Sequence, residues 1–130
     1  MSDKKKEKFE KRFVEAGWME ADDNIVAYLQ ANACQRLSAR FGKWVQGWIY
    51  FTERRLVYPI GFLGLADTHI IIPYKNIRKL EKCRQGLFPI GIAITHEHWK
   101  DGMVVTDKIS LMKREKWMQF MAEKAGCPLS

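Results

Sequence analysis

A chain of 130 residues with 47% hydrophobic composition suffices for one domain with its own core, and no apolar run approaches the roughly 20 residues of a membrane-spanning helix. The charged Met1–Lys8 segment argues against a secretory signal, and three widely spaced cysteines (Cys34, Cys83, Cys127) argue against a disulfide framework and for a reducing, cytoplasmic setting. The net charge of +7 is concentrated in two stretches, Arg36, Arg40, Lys43, Arg54 and Arg55 against Glu53 alone, then Lys75, Arg78, Lys79, Lys82 and Arg84 against Glu81 alone. Such clustering points either to an anionic partner or to a solvated basic surface that keeps the protein soluble.

In chain order, residues 3–16 read as a helix, with Phe9, Phe13 and Ala16 on one face, charges elsewhere and Gly17 as the stop. This stripe suits either an anionic membrane or docking on the parent domain; Glu7, Glu10 and Glu15 nearly cancel the lysines and favour docking. Glu20–Asn24 is an acidic loop. Ile25–Leu37 is strand-like, although its alanines blur the period and leave a helix open. Ser38–Gln46 reads as a loop. Gly47–Pro59 is a strand pair: Ile49 and Phe51 alternate with Trp48, Tyr50 and Thr52, Glu53-Arg54-Arg55 interrupts, and Leu56-Val57-Tyr58 resumes.

Ile60–Leu65 is an apolar loop spaced by Gly61 and Gly64, serving as an exposed tip or a buried plug. Thr68–Pro73 has the strongest β composition, and Pro73 marks a strand end or an edge. A short turn then leads into a strand over Ile77–Cys83. In Phe88–His96, Phe88, Ile90, Ile92 and Ile94 face one way; Pro89, Gly91, Ala93 and Thr95 face the other, where small size suits close approach or solvent. Asp101-Gly102 predicts a type I′ hairpin returning through Met103–Leu111. Lys113–Lys124 is a helix with Trp117, Phe120 and Met121 on one face, ended by Gly126 and Pro128. The expected fold is therefore mainly β with α: a partly open antiparallel barrel of about seven strands, capped by the C-terminal helix, plus an N-terminal helix.

His96 and His98 share a strand face at i, i+2, a spacing that holds zinc only with a third ligand, so a metal-dependent enzyme built on them stands as the weakest alternative. The expectation is two exposed histidines near a hairpin, no catalytic residue, no metal and no cofactor; Gly61-x-x-Gly64 is too short a motif for a phosphate loop. Cys127-Pro128-Leu129-Ser130 matches a prenylation box only formally. Trp44 and Trp48 beside cations suit either packing on the sheet or contact with a base or a lipid. With Arg40 and Lys43 they only hint at a nucleic-acid groove, which is kept as the alternative function. Trp44, Trp48, Phe62, Leu63 and the Phe9/Phe13 stripe together exceed what one small core hides, which favours a homo-oligomer over a monomer, with the N-terminal helix either crossing between subunits or folding back over its own sheet.

Three elements resemble the pleckstrin-homology-like superfold, in particular GRAM-type and bacterial PH-like domains. They are Gly47-Trp48-Ile49-Tyr50-Phe51-Thr52-Glu53-Arg54-Arg55-Leu56-Val57, Ile72-Pro73-Tyr74-Lys75-Asn76-Ile77, and a C-terminal helix with a core tryptophan at Arg114-Glu115-Lys116-Trp117. The resemblance covers about residues 25–124 and divides the chain into a helical extension (1–20), a PH/GRAM-like domain (21–126) and a tail (127–130). It implies a non-enzymatic binding or scaffolding module for a protein or an anionic lipid surface, cytoplasmic or peripheral to the membrane. The residues to contact an anionic partner are then Arg36, Arg40, Lys43, Arg54, Arg55, Lys75, Arg78, Lys79 and Lys82, with Trp44, Trp48, Phe62 and Leu63 for hydrophobic contact. Phosphoinositide-binding members carry a lysine near the end of the first strand and a basic-x-Arg pair in the second; Gly47–Thr52 carries no cation.

Overall fold

A computed structural model describes residues 3–34, 44–59 and 69–127. The elements are α1 (Asp3–Glu15), β1 (Ile25–Cys34), β2 (Val45–Thr52), β3 (Arg55–Tyr58), β4 (Ile70–Pro73), a 3-10 turn (Tyr74–Asn76), β5 (Ile77–Gln85), β6 (Phe88–Glu97), β7 (Val104–Ser110) and α2 (Arg114–Ala125). The strands form one seven-stranded antiparallel sheet in the order β4-β3-β2-β1-β7-β6-β5. Among the described residues the two meanders pair where Asn32–Cys34 meets Lys108–Ser110, so the sheet can bend sharply there into two layers. The edge strands β4 and β5 are consecutive in the chain, and the short turn between them brings the two layers together at a corner.

Period-2 alternation decides which side chains enter the space between the layers. Ile49, Phe51, Leu56, Tyr58, Ile70 and Ile72 enter from the first meander, and Leu80, Ile92, Ile94 and Ile109 from the second; all are buried. The helix α2 covers one end with Trp117, Met118, Met121 and Ala122. Trp117 lies flat on Phe51, with ring centres 4.2 Å apart and planes 2° from parallel, while Phe120 meets Tyr74 edge-on at 5.6 Å. Gly47 is glycine because Tyr58 crosses it: a Cβ there would stand 2.8 Å from the tyrosine hydroxyl.

The outer face of the first meander is covered by α1. Phe13 meets Tyr50 edge-on at 4.8 Å, and Phe9, Met19, Ile25, Val57 and Tyr28 complete this second core. Glu10 Oε2 accepts the Ile25 N–H at 2.9 Å, tying the helix to the start of β1. The Phe9/Phe13 stripe thus packs on its own chain, the docking that the acidic residues of the helix favour. Tyr50 and Val57 on the outward face of the sheet offer the stripe an apolar surface.

Other expectations need smaller corrections. The β6–β7 turn is not type I′: Gly102 has φ +73°, but Asp101 does not share the positive φ that turn needs. Instead, Trp99–Gly102 forms a four-residue loop in which the Met103 N–H donates to Asp101 Oδ1 at 2.9 Å. The final helix starts at Arg114, after Lys113 turns the chain in a left-handed conformation (φ 58°, ψ 44°). Phe88 keeps the parity of Ile92 but lies at the strand's outer end and is exposed. The small face of β6 reflects close approach at Gly91, where a Cβ would stand 2.6 Å from Cys83 Sγ. The Gly61–Gly64 loop and the residues after Cys127 lie outside the described residues.

Two measurements check this packing. Trp117→Ala should destabilise the protein by roughly 3–5 kcal/mol in urea denaturation, as for other large buried aromatics; a loss under about 1 kcal/mol would show that α2 does not close the core. Burial against Trp18 (ring centres 4.4 Å apart), and secondarily the charge of Lys100, holds the His69 pKa below its ordinary 6.5. The unfolded chain then takes up the proton first, so this contribution is level above pH 6.5 and is lost as the pH falls below it. The stability of the wild type relative to His69→Phe should therefore decline as the pH falls through and below the ordinary 6.5; a pH-independent difference would contradict the burial argument.

Candidate functional site

The β2–β3 turn organises the site. Thr52 Oγ1 donates to the buried Asp23 carboxylate at 2.6 Å and accepts the Arg55 N–H at 2.8 Å, which closes the turn Thr52-Glu53-Arg54-Arg55. The other Asp23 oxygen accepts the backbone N–H groups of Asn24 (2.7 Å) and Glu53 (3.0 Å). These bonds pin the acidic loop beside the turn and aim both arginines along it. Arg54 makes a fork to Asp22 (2.8 and 3.0 Å) and reaches Glu20 at 2.6 Å. Arg55 donates to Trp18 O at 3.1 Å and to Glu20 at 3.3 Å. The Arg54 guanidinium holds the Asp22 carboxyl below its usual pKa, and Asp22 raises that of Arg54.

Between this turn and the 3-10 turn lies a cleft of about 190 Å³. Arg54, Arg55, Lys75 and Lys124 line it together with Glu20, Glu53, Pro73 and Tyr74. Lys124 is held by Glu53 at 2.7 Å. Lys75 is exposed and makes no ion pair among the described residues. The floor is fixed because the Tyr74 hydroxyl donates to Thr52 O at 2.7 Å; burial raises its pKa well above the phenolic range, so it stays a neutral donor.

Of the basic residues picked out in the sequence, Arg54, Arg55 and Lys75 are therefore brought together. Arg78, Lys79 and Lys82 lie apart on the edge strand β5, each beside a carboxylate: Arg78 with Glu97, Lys79 with Glu81 at 2.7 Å, Lys82 with Glu115 at 3.7 Å. Arg36, Arg40, Lys43, Phe62 and Leu63 lie outside the described residues. Trp44 is half-buried; Trp48 is 45% exposed on the outer face of β2, 5.3 Å from Tyr28. Sequence reasoning missed Lys124 and Asp23. For Asp23 the usable signal was Thr52 before two arginines, a hydroxyl placed to close a turn and donate to an acid; Lys124 is 71 residues from its partner Glu53 and had none.

The expectation of two exposed histidines is corrected at His96. It points into the space between the layers, is 1% exposed, and its Nε2 bonds Asp107 Oδ2 at 2.7 Å. The cause is parity: His96 continues the inward row of Ile92 and Ile94, and Asp107 on β7 is the polar partner that burial demands. His98, beyond the strand end, lies 3.6 Å from Asp101. The two rings therefore do not share a ligand position, and no group of three metal-ligating side chains occurs among the described residues.

No protein-family model and no curated protein sequence matches this chain. Solved structures do. It is similar to the Vps36 N-terminal PH domain, with TM-score 0.53 and 11% identity over 83% of each chain. It is similar to the Slm1 PH domain in complex with inositol-4-phosphate, with TM-score 0.50 and 7% identity, covering 78% of this chain and 93% of that one. It is also similar to the DH/PH domains of PDZ-RhoGEF in complex with activated RhoA, with TM-score 0.62 and 10% identity, covering 95% of this chain and 39% of that one. Identities this low speak for architecture alone. Seven antiparallel strands bent into two layers and closed by a C-terminal helix give this chain a pleckstrin-homology-like fold.

Proposed function

We propose that this chain is a non-enzymatic binding module of the GRAM or bacterial PH-like kind, cytoplasmic, with residues 21–126 as the binding domain and 1–20 as an extension. Its partner is an anionic macromolecular surface, and the cleft best fits an acidic protein segment. The observation that carries this reading is that one guanidinium, Arg54, already holds two carboxylates from an i, i+2 pair, Glu20 and Asp22. The chain thus supplies its own stand-in for an acidic ligand. These pairs are half-exposed and solvent-screened, so an external carboxylate replaces them at little cost, while Lys75 offers a further charge. The neighbouring PH structures, one bound to an inositol phosphate and one to a protein, support a fold used for binding.

Competition with the chain's own loop gives a test with a signed outcome. Fluorescence anisotropy with a labelled Glu-x-Glu repeat peptide should show salt-sensitive binding. Glu20→Gln combined with Asp22→Asn should tighten it, because the internal competitor is gone. Arg54→Glu with Lys75→Glu should weaken it by about tenfold or more. Failure of the Glu20→Gln/Asp22→Asn protein to bind the peptide at low salt would overturn the cleft as the contact.

A further inference from the structure

A second opening lies between α1 and the acidic loop, apart from the cations of the cleft. It is a groove of about 500 Å³, within the range of pockets that take a small apolar ligand. Val14, Met19 and Ala21 give it an apolar lining, and Glu10, Glu15 and Asp23 outnumber its one cation, Lys11. The buried Asp23 is committed to Thr52, and Glu10 holds the Ile25 N–H, so both walls are fixed before anything binds. Glu15 is exposed and makes no ion pair among the described residues.

The complementary chemistry stands on the β5–β6 hairpin. The two strands are joined by Gly86 and Leu87, with Gln85 paired to Phe88. Gly86 has φ +58° at the first central position, as a tight two-residue type II′ connection requires. Such turns ordinarily hold polar residues at their tip. Here Leu87 is 88% exposed and Phe88 67% exposed. Lys82 and Arg84 precede them, and residues 82–88 carry no acid. Arg84 is exposed and makes no ion pair among the described residues. Within one chain the two features do not meet, since no residue of 82–88 lines the groove.

One chain thus presents both halves of a contact: an apolar tip backed by cations, and an apolar groove rimmed by acids. We propose that the Leu87–Phe88 tip of one copy seats in the Val14/Met19/Ala21 groove of a second copy, with Arg84 against Glu15. Because the two halves differ, the contact is heterologous, and each copy can offer its tip to one neighbour and its groove to another. Two apolar side chains in a groove bury far less than the roughly 800 Å² that each partner gives to a standard interface, so the association belongs to the weak, transient class. It uses neither Arg54 nor Lys75, and so stands apart from the cleft.

Sedimentation velocity of the full chain up to about 1 mM, the regime of contacts worth about 4 kcal/mol, tests this. The average mass should rise with concentration and fall with salt. Leu87→Ser combined with Phe88→Ser should weaken self-association by about tenfold or more, and so should Glu15→Lys combined with Ala21→Lys, all four at exposed positions. An equimolar mixture of the two variants should regain association, because the intact tip of one meets the intact groove of the other, and it should stop at dimers. Circular dichroism checks that each variant is folded. A wild type that stays monomeric at about 1 mM and low salt would overturn the proposal. So would undiminished association of either folded variant, or a mixture that associates no better than the variants alone, which a symmetric contact would give.

Discussion

β4 ends at Pro73 and β5 begins at Ile77, so a single 3-10 turn joins the two edge strands of a seven-stranded sheet. A flat sheet in this strand order would hold its edges far apart, and so short a link forces it to curl. Tyr74 secures the corner: its hydroxyl bonds Thr52 O at 2.7 Å and its ring meets Phe120 edge-on. With the corner closed, the inward rows of both layers face one another, and the remaining opening is the size of a helix. Trp117 stacked on Phe51 fills it. The cleft is a by-product of the same corner, since the β2–β3 turn and the 3-10 turn must come together for Tyr74 to reach Thr52 O.

Charge is distributed in two regimes. At the cleft and along β5, most cations sit beside a carboxylate, including Arg54 with Asp22, Lys124 with Glu53 and Arg78 with Glu97. At the β5–β6 hairpin, cations outnumber acids beside exposed Leu87 and Phe88. Paired cations define geometry and specificity, since an incoming anion must exchange with an existing one. Cations without partners give long-range attraction at low ionic strength.

A third feature is the buried polar content. Asp23 with Thr52, and His96 with Asp107, are buried hydrogen-bonded pairs. Leaving either partner without its bond costs more than the bond itself contributes, so each pair acts as a constraint on register. Thr52–Asp23 holds the loop carrying Glu20 and Asp22 against the arginines. His96–Asp107 couples adjacent strands β6 and β7 from the inside.

Much of the fold was legible in the sequence because it rests on local periodicity. The alternation in Gly47–Tyr58 and Phe88–Glu97 placed β2, β3 and β6, and the spacing of Trp117, Phe120 and Met121 marked the face of the capping helix. Parity along a strand states which residues share a face but not which face is buried at its end, so Phe88 emerged exposed and His96 emerged inside. Composition located the cations, yet their partners lie far along the chain, as Arg54 with Asp22 and Lys124 with Glu53 show, and such pairings exist only once the sheet has curled. The Phe9/Phe13 stripe was readable as an apolar face, whereas its cover, Tyr50 and Val57 on the outer side of the same chain's sheet, was decided by tertiary structure. Local pattern sets which face of each element is apolar; only the closed corner of the sheet decides what that face meets.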